Sequence, residues 1–133
     1  MKTRVLDSWP VLEWILGKQP ATNLVAGLFS EAEAGKLRLA MSAINTGEVY
    51  YFLKKHRAAD LAASWRDSCE ALPVTMDVPT AETIWRAAEL KSRFAISYAD
   101  AFAAELAQRF RCPLITGDPE FRSVDKLDLD WTG

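Results

Sequence analysis

The sequence predicts an α/β fold: one domain over residues 1–133, with a central, mostly parallel sheet of about five strands and helices on both faces. Three observations lead there. Short apolar runs of strand character alternate with longer segments whose apolar residues recur every three or four positions, the order that builds parallel sheets. Three of the strand-like runs stop at or just before an aspartate, at the edge where such sheets hold ligands. Finally, 133 residues with six Gly and six Pro are enough for one core and leave no linker to divide two.

The elements follow in order. Arg4-Val5-Leu6 reads as a strand that stops at Asp7-Ser8. Pro10 suits the first turn of a helix, and the apolar run Val11–Leu16 continues it to Gly17. A second helix spans Ala21 to Ala34, with Leu24, Val25, Leu28 and Ala32 at helical spacing. Leu37–Ser42 is the second strand. Ile44–Lys55 is helical, and Lys54-Lys55-His56-Arg57 gives it a cationic end that suits the helix dipole. Ala58–Leu72 carries a stripe that includes Trp65 and Cys69, and both read as core. Residues 73–78 form a strand between Pro73 and Pro79. Ala81–Ser92 is helical, with Ile84 and Trp85 on its predicted core side, and Trp14 is likewise expected to pack. Tyr98–Phe110 is the last helix. Residues 113–116 form a strand ending at Gly117-Asp118, and the tail 126–131 alternates like an edge strand.

Composition narrows the function classes. Sixteen basic against 18 acidic residues give a formal charge of -2, so no global basic field holds nucleic acid unaided, and any contact must use local patches. Two isolated cysteines cannot make a tetrahedral zinc site without other ligands, His56 is the only histidine, and a serine or cysteine triad would rest on it. No disulfide framework is implied, which fits the reducing cytoplasm, the expected location. Met1-Lys2-Thr3-Arg4 meets Asp7 before any apolar run, so no signal peptide is expected. No run approaches the ~18 apolar residues of a membrane helix, and no membrane partner is expected.

Chemistry is concentrated in acids. Asp7 follows the first strand and alone reads as a turn or N-cap residue. Asp118, before Pro119, reads the same way. Asp100 fits the capping box Ser97-Tyr98-Ala99-Asp100. Glu48 differs. Its helical neighbours Ile44, Tyr51 and Phe52 are apolar, and a carboxylate in an apolar stripe is either marginal and reaching water or held by a partner. Together the four could meet at the carboxyl edge of one sheet. Clustered carboxylates repel one another, and an oxygen-rich, histidine-poor cluster suits one or two Mg²⁺ or Mn²⁺ ions. Such ions activate water and hold phosphate, which suggests phosphodiester hydrolysis.

Four segments carry a family resemblance: Val5-Leu6-Asp7-Ser8, Asn45-Thr46-Gly47-Glu48-Val49-Tyr50-Tyr51, Ile96-Ser97-Tyr98-Ala99-Asp100-Ala101-Phe102, and Leu114-Ile115-Thr116-Gly117-Asp118-Pro119-Glu120-Phe121. In these the chain resembles the PIN-domain ribonucleases, specifically the VapC type of toxin from bacterial and archaeal toxin–antitoxin pairs. The resemblance covers essentially the whole chain and is thinnest between Ala58 and Ser92. It implies a metal-dependent endoribonuclease whose catalytic and metal-binding acids are Asp7, Glu48, Asp100 and Asp118. It also implies an RNA substrate, a cognate antitoxin partner with an apolar segment and a basic residue near the acids, and a homodimer.

Ser8 and Thr116 stand beside the acids, where they either orient carboxylate or water or cap local backbone. Lys91, Arg93 and Arg122 are the candidate RNA-backbone contacts. Asp77 ends a strand that the family's sheet order puts at an edge, about 10 Å away. Glu120 reads as a first-turn helix acid. Trp9 reads as packing, or as a surface that stacks a base. Two other readings stand beside this one. A receiver- or phosphatase-like domain lacks support, because Asp7-Ser8-Trp9 breaks D-x-D and no lysine follows Thr116-Gly117-Asp118. A catalytically silent PIN-fold module for RNA or protein binding would not need all four acids.

Overall fold

The computed structural model describes residues 2–132. Residues 1 and 133, the ends of the expected domain, lie outside the described residues. Five strands and six α-helices run in the order β1 (Lys2–Leu6), α1 (Ser8–Ile15), α2 (Ala21–Glu33), β2 (Leu37–Ser42), α3 (Ala43–Lys55), α4 (Ala59–Ser68), β3 (Thr75–Asp77), α5 (Ala81–Arg93), α6 (Tyr98–Phe110), β4 (Leu114–Thr116) and β5 (Leu129–Trp131). The sheet order is β3-β2-β1-β4-β5, and all four pairings are parallel.

Strand alternation divides the core between two faces. Val5, Ala40 and Leu114 pack with α5 and α6, while Leu6, Leu39, Met41 and Ile115 pack with α1 to α4. β4 and the carboxyl halves of β1 and β2 are buried on both faces, as central parallel strands covered by helices must be, while the edge strands β3 and β5 are only partly buried. The chain moves outward from β1 on one side to β2 and β3, and on the other to β4 and β5. The crevice of a doubly wound sheet opens where that order reverses, beyond the carboxyl ends of β1 and β4. The backbone N–H of Asp7 donates to Ile115 across that junction at 3.1 Å.

Two predicted elements differ. The helix expected over residues 58–72 ends at Ser68 and tightens into a 3₁₀ turn, Cys69–Ala71, leaving Cys69 half-buried. Pro73 forces the preceding Leu72 into extended backbone, ψ 152°. In α5 the buried side is Thr83, Ala87 and Leu90, and Trp85 stands 76% exposed. Small residues let α5 approach the alanines of α6 (Ala101, Ala103, Ala104 and Ala107, all buried), and that seam has no room for an indole. Trp65 is buried as predicted and donates Nε1–H to the Thr46 carbonyl at 2.9 Å, while Trp14 is partly buried against Phe29.

Candidate metal centre

The four sequence-predicted acids line one hollow of about 380 Å³. Four elements supply them: Asp7 from the end of β1, Glu48 from α3, Asp100 from the first turn of α6, and Asp118 from just past β4. Asp7 and Asp100 are buried, at 1% and 6% exposure.

Capping accounts for two of them in part. Ser97 and Asp100 form the full capping box: the Asp100 N–H donates to Ser97 Oγ at 3.0 Å and the Ser97 N–H donates to Asp100 Oδ2 at 3.4 Å. Asp118 Oδ1 accepts from the Glu120 N–H at 2.9 Å. Asp7 differs: it occupies the N-cap position of α1, yet its carboxylate makes no capping hydrogen bond into the helix, and only the neighbouring Ser8 N–H bears weakly on it. Its Oδ2 accepts from the Thr116 hydroxyl at 2.8 Å, and its Oδ1 is buried without a partner. An unpaired buried carboxylate oxygen is costly, so its retention calls for a group that would face it.

Glu48 is half-buried, but not for the reason its neighbours suggested. Ile44, Tyr51 and Phe52 are all exposed by more than a third, and the core side of α3 is Asn45, Val49 and Leu53. Glu48 therefore borders an open apolar surface. Ser8 Oγ donates to Glu48 Oε1 at 2.5 Å, and Asn45 Nδ2 reaches the same oxygen at 3.4 Å. Asn45 also donates to the Ala99 carbonyl at 3.1 Å, which joins α3 to the start of α6 beside Asp100.

The carboxylates share one electrostatic field. Burial, then the charge of Asp100 and that of Glu48, pushes the Asp7 carboxyl up to about 8 against the Thr116 hydrogen bond. Burial, then the charges of Asp118 and Glu48, raises Asp100 to about 6. Burial with Glu48 and Asp100 also raises the Tyr51 hydroxyl. A divalent cation would reverse these costs. The donors are all oxygen, no His or Cys lines the hollow, and Asp7 Oδ1 waits unpaired, so the residues fit a hard ion of the Mg²⁺ or Mn²⁺ type.

The sequence left three residues of this site without a role in it. Glu120, set aside as a first-turn helix acid, is one: ligand atoms of Asp100, Asp118 and Glu120 lie within 4.8 Å of one another. Asn45 is another. Lys18 is the third, and it brings a cation to the wall of the hollow. The i+2 spacing of Glu120 from Asp118 was the visible signal; Lys18 reaches the site only through the turn after α1. Lys91, Arg93 and Arg122 do not line the hollow. Arg93 faces a separate cleft with Gln108, Arg111 and Lys126, and Arg122 lies over the Trp131 ring at 4.3 Å. Asp77 ends β3 and is paired with Arg109 at 2.7 Å.

The PIN-domain sequence profile matches residues 4–127. The chain belongs to the PIN-domain family. PIN domains are nucleases that generally use divalent metal, and the α/β architecture predicted from the sequence is theirs. No curated protein matches the sequence. Solved structures do match the PIN fold seen here. VapBC2 from Rickettsia felis, bound to a DNA fragment from its promoter, aligns with a TM-score of 0.73 at 18% identity, over 96% of this chain and 97% of that one. VapC20 of Mycobacterium tuberculosis, a sarcin-ricin-loop-cleaving toxin, aligns at 0.70 and 17% identity, over 90% and 92%. VapBC-1 from nontypeable Haemophilus influenzae aligns at 0.66 and 18%, over 97% of each chain. No helix among the described residues of this PIN domain is long and apolar enough to cross a membrane.

Proposed function

We propose that this PIN domain is a metal-dependent endoribonuclease, the toxin of a toxin–antitoxin pair. The observation that carries the reading is Asp7: a buried carboxylate at a helix start with no side-chain cap bond, one oxygen unpaired and five further acids on the same hollow, Glu48, Asp100 and Asp118 among them. Asp7, Glu48, Asp100 and Asp118 would hold Mg²⁺ or Mn²⁺, one ion or two. Bound metal supplies Lewis-acid charge for the phosphate and lowers the pKa of water.

The chain's own residues do the rest. Thr116 and Ser8 hold Asp7 and Glu48 in fixed rotamers. The capping box fixes Asp100 against the N-terminus of α6. Lys18 brings positive charge to the margin, where an RNA phosphate would enter. Lys91, Arg93 and Arg122 remain candidates for more distant backbone contacts. No covalent nucleophile is required.

The likeness to VapBC complexes supports a cognate antitoxin, and the exposed Ile44, Tyr51 and Phe52 beside Glu48 suit an apolar antitoxin segment. A homodimer and a cytoplasmic location complete the reading. Sequencing RNA 5′ ends after brief expression tests it. Discrete new ends, lost when the small gene encoded next to this one is co-expressed, are expected. An unchanged 5′-end profile in cells that make folded protein contradicts it.

A further inference from the structure

Trp9 is 41% exposed, a large share for an indole two residues from a buried aspartate. It lines the same hollow as the four acids. The ring is nevertheless fixed on two sides. Its Nε1–H donates to the Glu13 carboxylate, one helical turn on. Its pyrrole edge lies against Gly117: a Cβ there would stand 3.1 Å from Nε1 and 3.3 Å from Cδ1, closer than side chains ordinarily pack. Gly117 directly precedes Asp118, so the residue that makes room for the indole is next to a predicted metal ligand.

A half-exposed aromatic with its only donor already engaged offers the hollow a π-surface and no hydrogen bond. That is the chemistry of base stacking, which accepts any base and is strongest on a ring that is already immobile. Phe52, 38% exposed, adds apolar surface from α3, with the His56 ring 4.1 Å from it and tilted by 33°.

We propose that Trp9 is the stacking platform for the nucleobase adjoining the scissile phosphate, a role that rests on the ribonuclease reading above. A base inside a duplex has no free face for it, so the nucleotide beside the cut must be unpaired. Stacking on Trp9 leaves the hydrogen-bond edges of that base unread.

The test uses a cleavable RNA oligonucleotide, its versions with an abasic nucleotide on either side of the cut, and Mn²⁺. Wild type should lose between about fivefold and a hundredfold in kcat/KM on one abasic substrate, mainly through KM. Trp9→Leu should show that loss on the intact RNA and no further loss on the abasic one, while Trp9→Phe retains part of the discrimination. Equal cleavage of intact and abasic RNA by wild type overturns the stacking role and leaves the nuclease reading standing. So does a Trp9→Leu variant that loses the same factor again on the abasic substrate. Wild type that cuts no RNA in Mn²⁺ overturns both.

Discussion

The Thr116 hydroxyl donates to Asp7 Oδ2 at 2.8 Å and accepts from the Asp118 N–H at 3.0 Å, so one side chain on β4 sets the positions of two predicted ligands. Thr116→Val keeps the volume and removes both bonds. Because that hydrogen bond lowers the Asp7 pKa, its loss should raise the Asp7 carboxyl further and weaken divalent-metal binding about 10- to 100-fold. Thr116→Ser should stay within a few-fold of wild type. Isothermal titration with Mn²⁺ distinguishes an orienting hydroxyl from a merely packed one, for which Val would be silent.

Asp7 makes metal-free stability depend on pH in an unusual direction. The folded carboxyl titrates near 8 and the unfolded one near 3.8. Between those values the folded state holds a proton that the unfolded chain has released. Stability therefore falls as pH rises through that window and levels off above it. Asp100, raised to about 6, steepens the lower half. In EDTA the melting temperature should drop from pH 5 to pH 8. In Asp7→Asn the drop above pH 6 should disappear, and a drop identical to wild type's would remove Asp7 as its cause.

Asp118→Asn should melt at or above the wild-type temperature in EDTA. Asn keeps the cap on the Glu120 N–H at little cost, and one charge leaves the field that raises Asp100. Added Mg²⁺ or Mn²⁺ should raise the wild-type melting temperature and raise that of the variant less. A clear loss of stability in EDTA would make Asp118 structural first.

Glu48 separates charge from packing. Glu48→Gln can still accept from Ser8, so the variant should fold normally and lose RNA cleavage. Glu48→Asp keeps the charge but withdraws it by about 1.5 Å, beyond the ~0.5 Å tolerance of a catalytic constellation. It should be folded and strongly impaired, with partial rescue by Mn²⁺. Full cleavage by Glu48→Gln would reduce the site to the other acids.

The sheet was legible because parallel strands are short apolar runs that stop at turns, and Asp7, Asp77 and Asp118 marked three of their ends. That Asp7, Asp100 and Asp118 share one hollow was legible from position, since each stands where a strand ends or a helix begins, while Glu48 stood out as a carboxylate among apolar neighbours. The face of a helix was not legible. Ile44, Tyr51 and Phe52 have core periodicity but are exposed, Phe52 on the hollow itself, and Trp85 stands in water because small residues decide how closely α5 meets α6. Periodicity gives a stripe and its spacing, and tertiary packing decides which stripe is buried. Glu120 was set aside because a first-turn helix acid accounts for it locally, and Lys18 was missed because it reaches the acids through an irregular turn whose path no local pattern specifies.

The most direct measurement is cleavage of RNA by purified Asp100→Asn in Mn²⁺, beside wild type with Mn²⁺ and with EDTA. Asparagine preserves the capping geometry of α6, so the fold should survive and its circular dichroism should match wild type. Wild type should cut in Mn²⁺ and stop in EDTA, and the variant should lose cleavage by at least about 100-fold, the scale of removing one charge-stabilising group from an active site. Wild-type rates from folded Asp100→Asn, or cutting by wild type that EDTA leaves unchanged, would contradict a metal centre built on these acids.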